Sequence, residues 1–300
     1  MPAAVSTDQE TDLIGSNSGE SQRYPIAGAG LGFRYELVDQ MQGHSLSRVN
    51  FMEVAPENWI RVGGKRGRLL REYTERFPFV CHGLSLSIGG PAPLDDSFLI
   101  ELKAFLDQHD IRAYTEHLSY CGDSGQLYDL MPIPFTPEAV EYLAGRIRHV
   151  QDVLERRIGM ENVSTYAVPS GDMTELEFLN AVIESADCGL HLDINNIFVN
   201  SVNHGFDPFG YLEGIPADRI MYAHIAGHFV EEDNLRIDTH GEDVLPEVWS
   251  MLDFAYQRYG VFPTLLERDY NFPPLDELLS EVDTIASRQR YWLGQHVDVA

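Results

Sequence analysis

Eight short apolar runs, most of them separated by helix-like segments, limit what this chain can fold into. The runs are "IAGAGLGF", "VNFMEVAP", "FPFVCHG", "IRAYTEHL", "RIGMENV", "CGLHLDINN", "RIMYAHIAGH" and "FPTLLERD". Between them lie segments with helical spacing: "YELVDQM", "SFLIELKAFLDQHD", "PEAVEYLAGRIRHVQDVLER", "ELEFLNAVIESA", "VLPEVWSMLDFAYQRYG" and "PPLDELLSEVDTIASRQRYWL". In "TPEAV", Thr136 caps a helix whose first turn holds Pro137 and Glu138. Strands alternating with helices predict a parallel sheet. Eight of them between about residue 25 and 293 suit a single-domain α/β fold, a (β/α)8 TIM-type barrel. An open doubly wound sheet would advertise a phosphate loop. "GAGLGF" offers Gly28, Gly30 and Gly32, but Phe33 stands where the last glycine of GxGxxG belongs, and no GKS or GKT follows.

Composition narrows the function classes. Hydrophobic residues make up 44% of the chain, ample for one large core. The formal charge of -26, from 47 acids against 21 Lys and Arg, argues against a general binder of nucleic-acid backbones. Clustered carboxylates are also what hard cations need. Cys81, Cys121 and Cys188 form no CxxC pair, and their odd number points away from a disulfide framework. They read as structural, with Cys81 facing away from the barrel mouth. No apolar run approaches the roughly 18 residues of a membrane span, and no basic-then-apolar segment opens the chain. A cytoplasmic location is expected. Residues 1–24 read as a disordered tail, 25–293 as the catalytic domain and 294–300 as a C-terminal tail.

The ends of the apolar runs carry the chemical signal. The second holds Glu53. The third ends in His82, the fourth in Glu116 and His117, the fifth in Glu161 and Asn162. The sixth gives Asp193 and Asn195, the seventh His224 and His228, the eighth Glu267. In a parallel barrel all these ends meet at one mouth, where active sites lie. A lone strand-end His is more often a hydrogen-bonded rim residue than a ligand. So many acids and imidazoles together need a positive charge among them. Mixed nitrogen and oxygen donors suit iron, manganese or zinc. Period-two spacing places Asp193 with Asn195, and Asp238 with His240, on one side of extended segments. Glu116 and His117 are adjacent, so one faces the mouth and the other supports it, in an order that spacing leaves open.

Several segments together resemble the multinuclear non-haem iron-dependent oxidative enzymes, a bacterial family. They are "VAPENW", "HGLSLSIGG", "EHLSYCG", "MPIPFTPEAV", "MENVSTY", "LHLDINNIFVNSVNHGFDP", "AHIAGH", "IDTHGEDV" and "LLERD", in the family's order from about residue 27 to 279. The resemblance implies a TIM-type barrel holding two or three iron ions in mixed Fe(II)/Fe(III) valence, with O2 as co-substrate. It also implies oxidative modification of cysteine in a ribosomally made precursor peptide, for example to an oxazolone with a thioamide, aided by a small leader-recognition partner protein. Carried onto this chain, the implied metal ligands are His82, His117, Glu161, Asn195, His224, Asp238, His240 and Glu267. Glu161 would bridge two irons, and Glu161, Asp238 and His240 would be indispensable to catalysis. Glu53, Glu116, Asp193 and His228 would support the ligands. Many members carry a His in the first segment; here that run reads "GLGFRYELV".

"GGPAP" at 89–93 and "SVNHGFDP" at 201–208 read as mouth loops. In the second, His204 shapes a substrate channel, or the segment is only a rigid turn. Glu242 and Asp243 read as acids at the start of the next helix. Other readings of the strand-end pattern are a sugar isomerase, a metal-dependent phosphodiesterase, or a non-catalytic metal-binding scaffold.

Overall fold

The computed structural model describes residues 23–122, 125–167 and 171–297. The elements run β1 (Ala29–Gly32), α1 (Tyr35–Met41), β2 (Phe51–Val54), α2 (Gly64–Thr74), β3 (Phe79–Gly83), α3 (Asp96–Gln108), β4 (Tyr114–His117), β5 (Tyr120–Gly122), β6 (Gln126–Met131), α4 (Pro137–Leu154) and β7 (Gly159–Glu161). They continue with α5 (Glu175–Ala186), β8 (Gly189–Asp193), α6 (Ile194–His204), α7 (Pro208–Glu213), β9 (Ile220–Ile225), β10 (Phe229–Glu232), β11 (Leu235–Ile237), α8 (Pro246–Tyr259), β12 (Thr264–Leu266) and α9 (Leu275–Val297).

β1, β2, β3, β4, β7, β8, β9 and β12 close into a parallel barrel, with β1 paired to both β2 and β12. All eight arise from the apolar runs. The fold is the expected (β/α)8 barrel. Two antiparallel hairpins, β5–β6 and β10–β11, are inserted after β4 and β9. The expected tail 1–24 lies almost wholly outside the described residues, and α9 continues to Val297 through the start of the segment expected as a C-terminal tail.

Strand alternation divides the side chains. Met52, Cys81, Tyr114, Met160, Leu190 and Leu266 point outward and pack in the main core under the helices. Phe51, Val80, Ala113, Tyr222 and Leu265 point inward and plug the barrel with Ile26. One pleat further along each strand, the inward residues are Glu53, His82, Thr115, His224 and Glu267. The plug is therefore an apolar floor under a polar layer.

Helix starts follow their local chemistry. Thr136 Oγ1 accepts from Ala139 N at the head of α4, as expected. Thr174 and Glu177 form a reciprocal capping box on α5. Two expectations change. "SVNHGFDP" is mostly helical, spanning the end of α6 and the start of α7. Glu242 and Asp243 precede α8 by several residues, and Glu247 is the acid in its first turn. Instead, Asp243 pairs with Arg268 (3.1 Å) and Glu242 accepts from Asn271 Nδ2 (3.4 Å).

Gly227, in the turn out of β9, allows the chain after His240 to pass against it: a Cβ there would collide with the backbone carbonyls of Glu242 and Asp243. Gly227→Ala is expected to destabilise the protein by about 1–3 kcal/mol, the usual cost of forced overpacking, read as a lowered urea midpoint.

Candidate metal centre

The site is built on the carboxyl ends of the barrel strands. Glu161, at the end of β7, sits near its middle and is buried. Its Oε2 lies 3.2 Å from His82 Nε2 and 3.3 Å from His117 Nε2, and those two nitrogens are 3.1 Å apart. Donors about 2.0–2.2 Å from one ion stand roughly 3.0–3.5 Å from each other, so these three match one face of a coordination shell. The other oxygen, Oε1, lies 3.8 Å from His224 Nδ1. The same Nδ1 is 2.9 Å from Glu267 Oε2 and 3.9 Å from Asp193 Oδ2. Glu161 thus faces two donor groups, one with each oxygen.

The outer partner of each imidazole decides which nitrogen is left for the centre. His82 Nδ1 meets Thr115 Oγ1 at 2.9 Å, and His117 Nδ1 meets the Gly83 carbonyl at 2.9 Å. His224 uses Nε2 on Glu53 Oε2 (2.8 Å), which also accepts from Tyr222 Oη (2.8 Å). Glu53 therefore stands behind His224. Glu116 lies behind His117: its Oε2 accepts from Tyr114 Oη (3.0 Å) and Leu86 N (3.3 Å), and its Oε1 from His117 N (3.2 Å). Of that adjacent pair, His117 faces the mouth.

Asp238 and His240 follow β11 in an irregular loop. The segment is not extended, since His240 has a φ of 49°. A left-handed histidine persists only where its surroundings hold it, and here Nδ1 is 3.2 Å from Asp269 Oδ2 and 3.2 Å from Glu267 Oε2. Its Nε2 lies 2.7 Å from Asp238 Oδ1. Asp238 is held in turn by Ser164 Oγ (2.9 Å), by Asn195 Nδ2 (2.8 Å) and, through its own N–H, by Tyr166 Oη (3.0 Å).

The Asp193–Asn195 pairing on one strand face does not hold. Asp193 ends β8 and caps α6, its Oδ1 accepting from Asn196 N (2.6 Å), so Asn195 lies in the first helical turn. Asn195 directs its amide to Asp238 and to His228 Nδ1 (2.7 Å). Asp193 Oδ2, expected to play a supporting role, faces the donor cluster. His228 stands behind Asn195. His204 is not on the cavity wall: its Nε2 meets Thr165 Oγ1 at 2.7 Å. "GGPAP" lines a separate groove with Arg61 and Arg146.

Three contributors were not singled out in the sequence. Arg34, just beyond β1, places its guanidinium 2.7 Å from Asp269, 3.6 Å from Glu267 and 3.8 Å from Glu53. Asn196 lines the cavity with an unpartnered Oδ1. His191 lies two residues before Asp193 on β8, inside the barrel. The period-two rule that pairs strand-face residues also places His191 with Asp193.

A cavity of about 750 Å³ opens above this layer, with Trp59, Tyr35, Leu130 and Phe272 in its walls. The electrostatics below it are those of buried, crowded acids and imidazoles. Burial alone would raise the Glu161 carboxyl, but His82 and His117 hold it well below the usual carboxylate range. Burial opposes charge on His224, yet Glu267 and Glu53 push it well up. Asp193 is pushed well up by burial and by the neighbouring Glu161 and Asp238. Burial, and after it the Arg236 guanidinium, lower His228 to about 4 against the opposing pull of Asp238 and Glu247.

The donor atoms fit a metal. Glu161 Oε2, Asp193 Oδ2, His224 Nδ1, His240 Nε2 and Glu267 Oε2 are all buried without an aligned hydrogen bond, although Glu161 Oε2 lies within 3.3 Å of His82 and His117, His224 Nδ1 within 2.9 Å of Glu267 Oε2 and His240 Nε2 within 2.7 Å of Asp238. Close approach without alignment is what donors aimed at a common point would show. Such orphaned groups are rare in proteins, and an ion is one of the few things that satisfies them.

The sequence profile of "RiPP precursor modification enzyme MbnB/TglH/ChrH" matches residues 28–290. The chain belongs to this family. It is also similar to a UPF0276 protein of Nitrosospira multiformis, 57% identical over 279 residues, which cover 92% of this chain and 97% of that one. A UPF0276 protein of Pseudomonas aeruginosa is 55% identical over 269 residues, with 90% and 95% covered. Among solved structures, D-psicose 3-epimerase from Clostridium cellulolyticum superposes with a TM-score of 0.58 at 12% identity, covering 89% of this chain and 99% of that one. Endonuclease IV from Thermus thermophilus gives 0.54 at 14%, covering 90% and 100%. At such identities these two share the barrel fold. Among the described residues, no helix is long and apolar enough to cross a membrane.

A second buried network steadies the loop that grips Asp238. Glu175 accepts from Tyr211 Oη (2.9 Å) and Asn200 Nδ2 (3.1 Å), while Asn200 also holds Val163 O (3.0 Å) and Thr165 N (2.7 Å) on either side of Ser164. Burial pushes the Glu175 carboxyl up to about 7 from an ordinary 4.5. A raised carboxyl favours the folded state fully below pH 4.5, and that contribution is lost as the pH rises through 7. Glu175→Gln removes this dependence. The stability of the variant relative to wild type is expected to rise by about 2 kcal/mol between pH 5 and pH 8, measured by urea denaturation of both proteins at each pH.

Proposed function

We propose that this protein is an iron- and O2-dependent enzyme that oxidatively modifies cysteine residues of a ribosomally made precursor peptide, working with a small leader-recognition partner protein. The observation that carries the reading is the convergence, under one cavity, of imidazoles and carboxylates whose inward donor atoms lack hydrogen-bond partners. Membership of a precursor-modifying family supports a peptide as substrate.

His82 and His117, with Glu161 Oε2, would hold one iron. His224, Glu267 and Asp193, with Glu161 Oε1, would hold its neighbour, and Asp238 with His240 would complete the set. In this assignment Asp193 takes the place that the family resemblance gives to Asn195, whose amide keeps Asp238 aligned. Iron bound here would supply a Lewis-acidic position for a substrate thiolate and a relay for the substrate's electrons to O2. The protein's part is orientation. Thr115, the Gly83 carbonyl and Glu53 fix three imidazole rings from behind, so the ligand lone pairs are preorganised before any ion arrives. Arg34 offsets the acids on one side and limits the positive charge that the remaining carboxylates call for. The apolar plug beneath the centre keeps water from entering through the barrel, so substrate approaches from the cavity alone.

Protein purified without oxygen is expected to carry iron by elemental analysis and to consume O2 when a cysteine-containing precursor peptide and its partner protein are added, with a mass change in the peptide. Glu161→Gln and His240→Ala should each lower bound iron and abolish the mass change. Zinc or manganese alone, with no O2 consumption, would refute the proposal, as would full iron and full activity in both variants.

A further inference from the structure

His191 belongs to none of the ligand positions implied by the family resemblance, yet it is fully buried and neither ring nitrogen has a hydrogen-bond partner. A buried polar group left without a partner is costly, and an imidazole that only fills space could be replaced by leucine without that cost. Packing gives it no acceptor. Its ring stacks on Tyr222 at 4.2 Å, and the rings of His224 and His82 meet it edge to face at 4.0 and 4.8 Å. The Tyr222 hydroxyl already serves Glu53 and Thr115.

Its position on the strand gives it an alternative partner. His191 and Asp193 are two residues apart on β8 and point into the barrel together. Ligand atoms of His191, His82 and Glu161 all lie within 4.8 Å of one another, and the same holds for His191 with Glu53 and His224. We propose that His191 is a further metal ligand, an imidazole that reaches from the barrel interior to the ion held by His82 and Glu161. The ion class is a divalent transition metal that accepts mixed nitrogen and oxygen donors. This rests on the metal reading above and adds to it one donor on the side of the apolar plug.

The test is a cobalt(II) titration of the metal-free full-length chain, followed by visible absorption and by native mass spectrometry. Wild type is compared with His191→Leu. The variant is expected to lose one bound ion, or to bind it at least about tenfold more weakly, and to show an altered ligand-field spectrum. Equal stoichiometry, affinity and spectrum in a folded variant would overturn the proposal. If the variant does not fold, wild type labelled with nitrogen-15 histidine and loaded with cadmium-113 answers the same question. Scalar coupling between cadmium and a His191 ring nitrogen is expected. Coupling at His82 and His117 with none at His191 would overturn it. A wild-type chain that binds neither cobalt nor cadmium would overturn the metal reading as well.

Discussion

The burial of Glu161 is the constraint around which the rest of the site is arranged. A carboxylate in the middle of a barrel needs positive charge on more than one side, and this one has His82 and His117 beside one oxygen and His224 near the other. Those imidazoles must be held with their free nitrogens inward, which requires Thr115, the Gly83 carbonyl and Glu53 behind them. Glu53 is itself a buried acid, and it is balanced by Tyr222, His224 and Arg34. Each partner thus calls for another, and the chain of requirements ends at Arg34 and the protein surface on one side and at the open donor atoms on the other.

The fold was legible because its signal is repeated. Eight apolar runs alternating with helices leave few architectures, and their polar ends named most of the residues that meet at the mouth. The misses have local causes. α2, "GKRGRLLREYT", is rich in arginine and glycine and has only Leu69, Leu70 and Tyr73 as apolar residues to announce it. Asp193 both finishes a strand and caps a helix, so period-two counting stops there and misplaces Asn195. His191 obeyed the rule but sat one pleat below the strand end, where attention to termini passes over it. Arg34 gave no signal among acids and imidazoles, because a lone cation following a glycine-rich strand looks like a solvated one.

Floor and walls have different origins. The donor layer stands on barrel strands whose register is tied to both neighbours, apart from the Asp238–His240 loop. The cavity walls come from connections, among them Trp59 beyond β2, Leu130 in the β5–β6 hairpin and Phe272 beyond β12. Connections tolerate substitution better than barrel strands do, so the walls can change while the donor geometry stays. That separation leaves the cavity free to vary around one donor set.

Barrel closure bears on how the protein comes to be loaded. β1 pairs with β12, Ala29 opposite Thr264, and Glu267 follows directly on that last strand. Glu267 lies beside His224, near His240 and across from Arg34. A nascent chain still lacking its final strand has an open sheet edge and an incomplete donor set. The donor group around His224 is therefore complete only once the last strand has closed the ring, whereas His82, His117 and Glu161 come together without it.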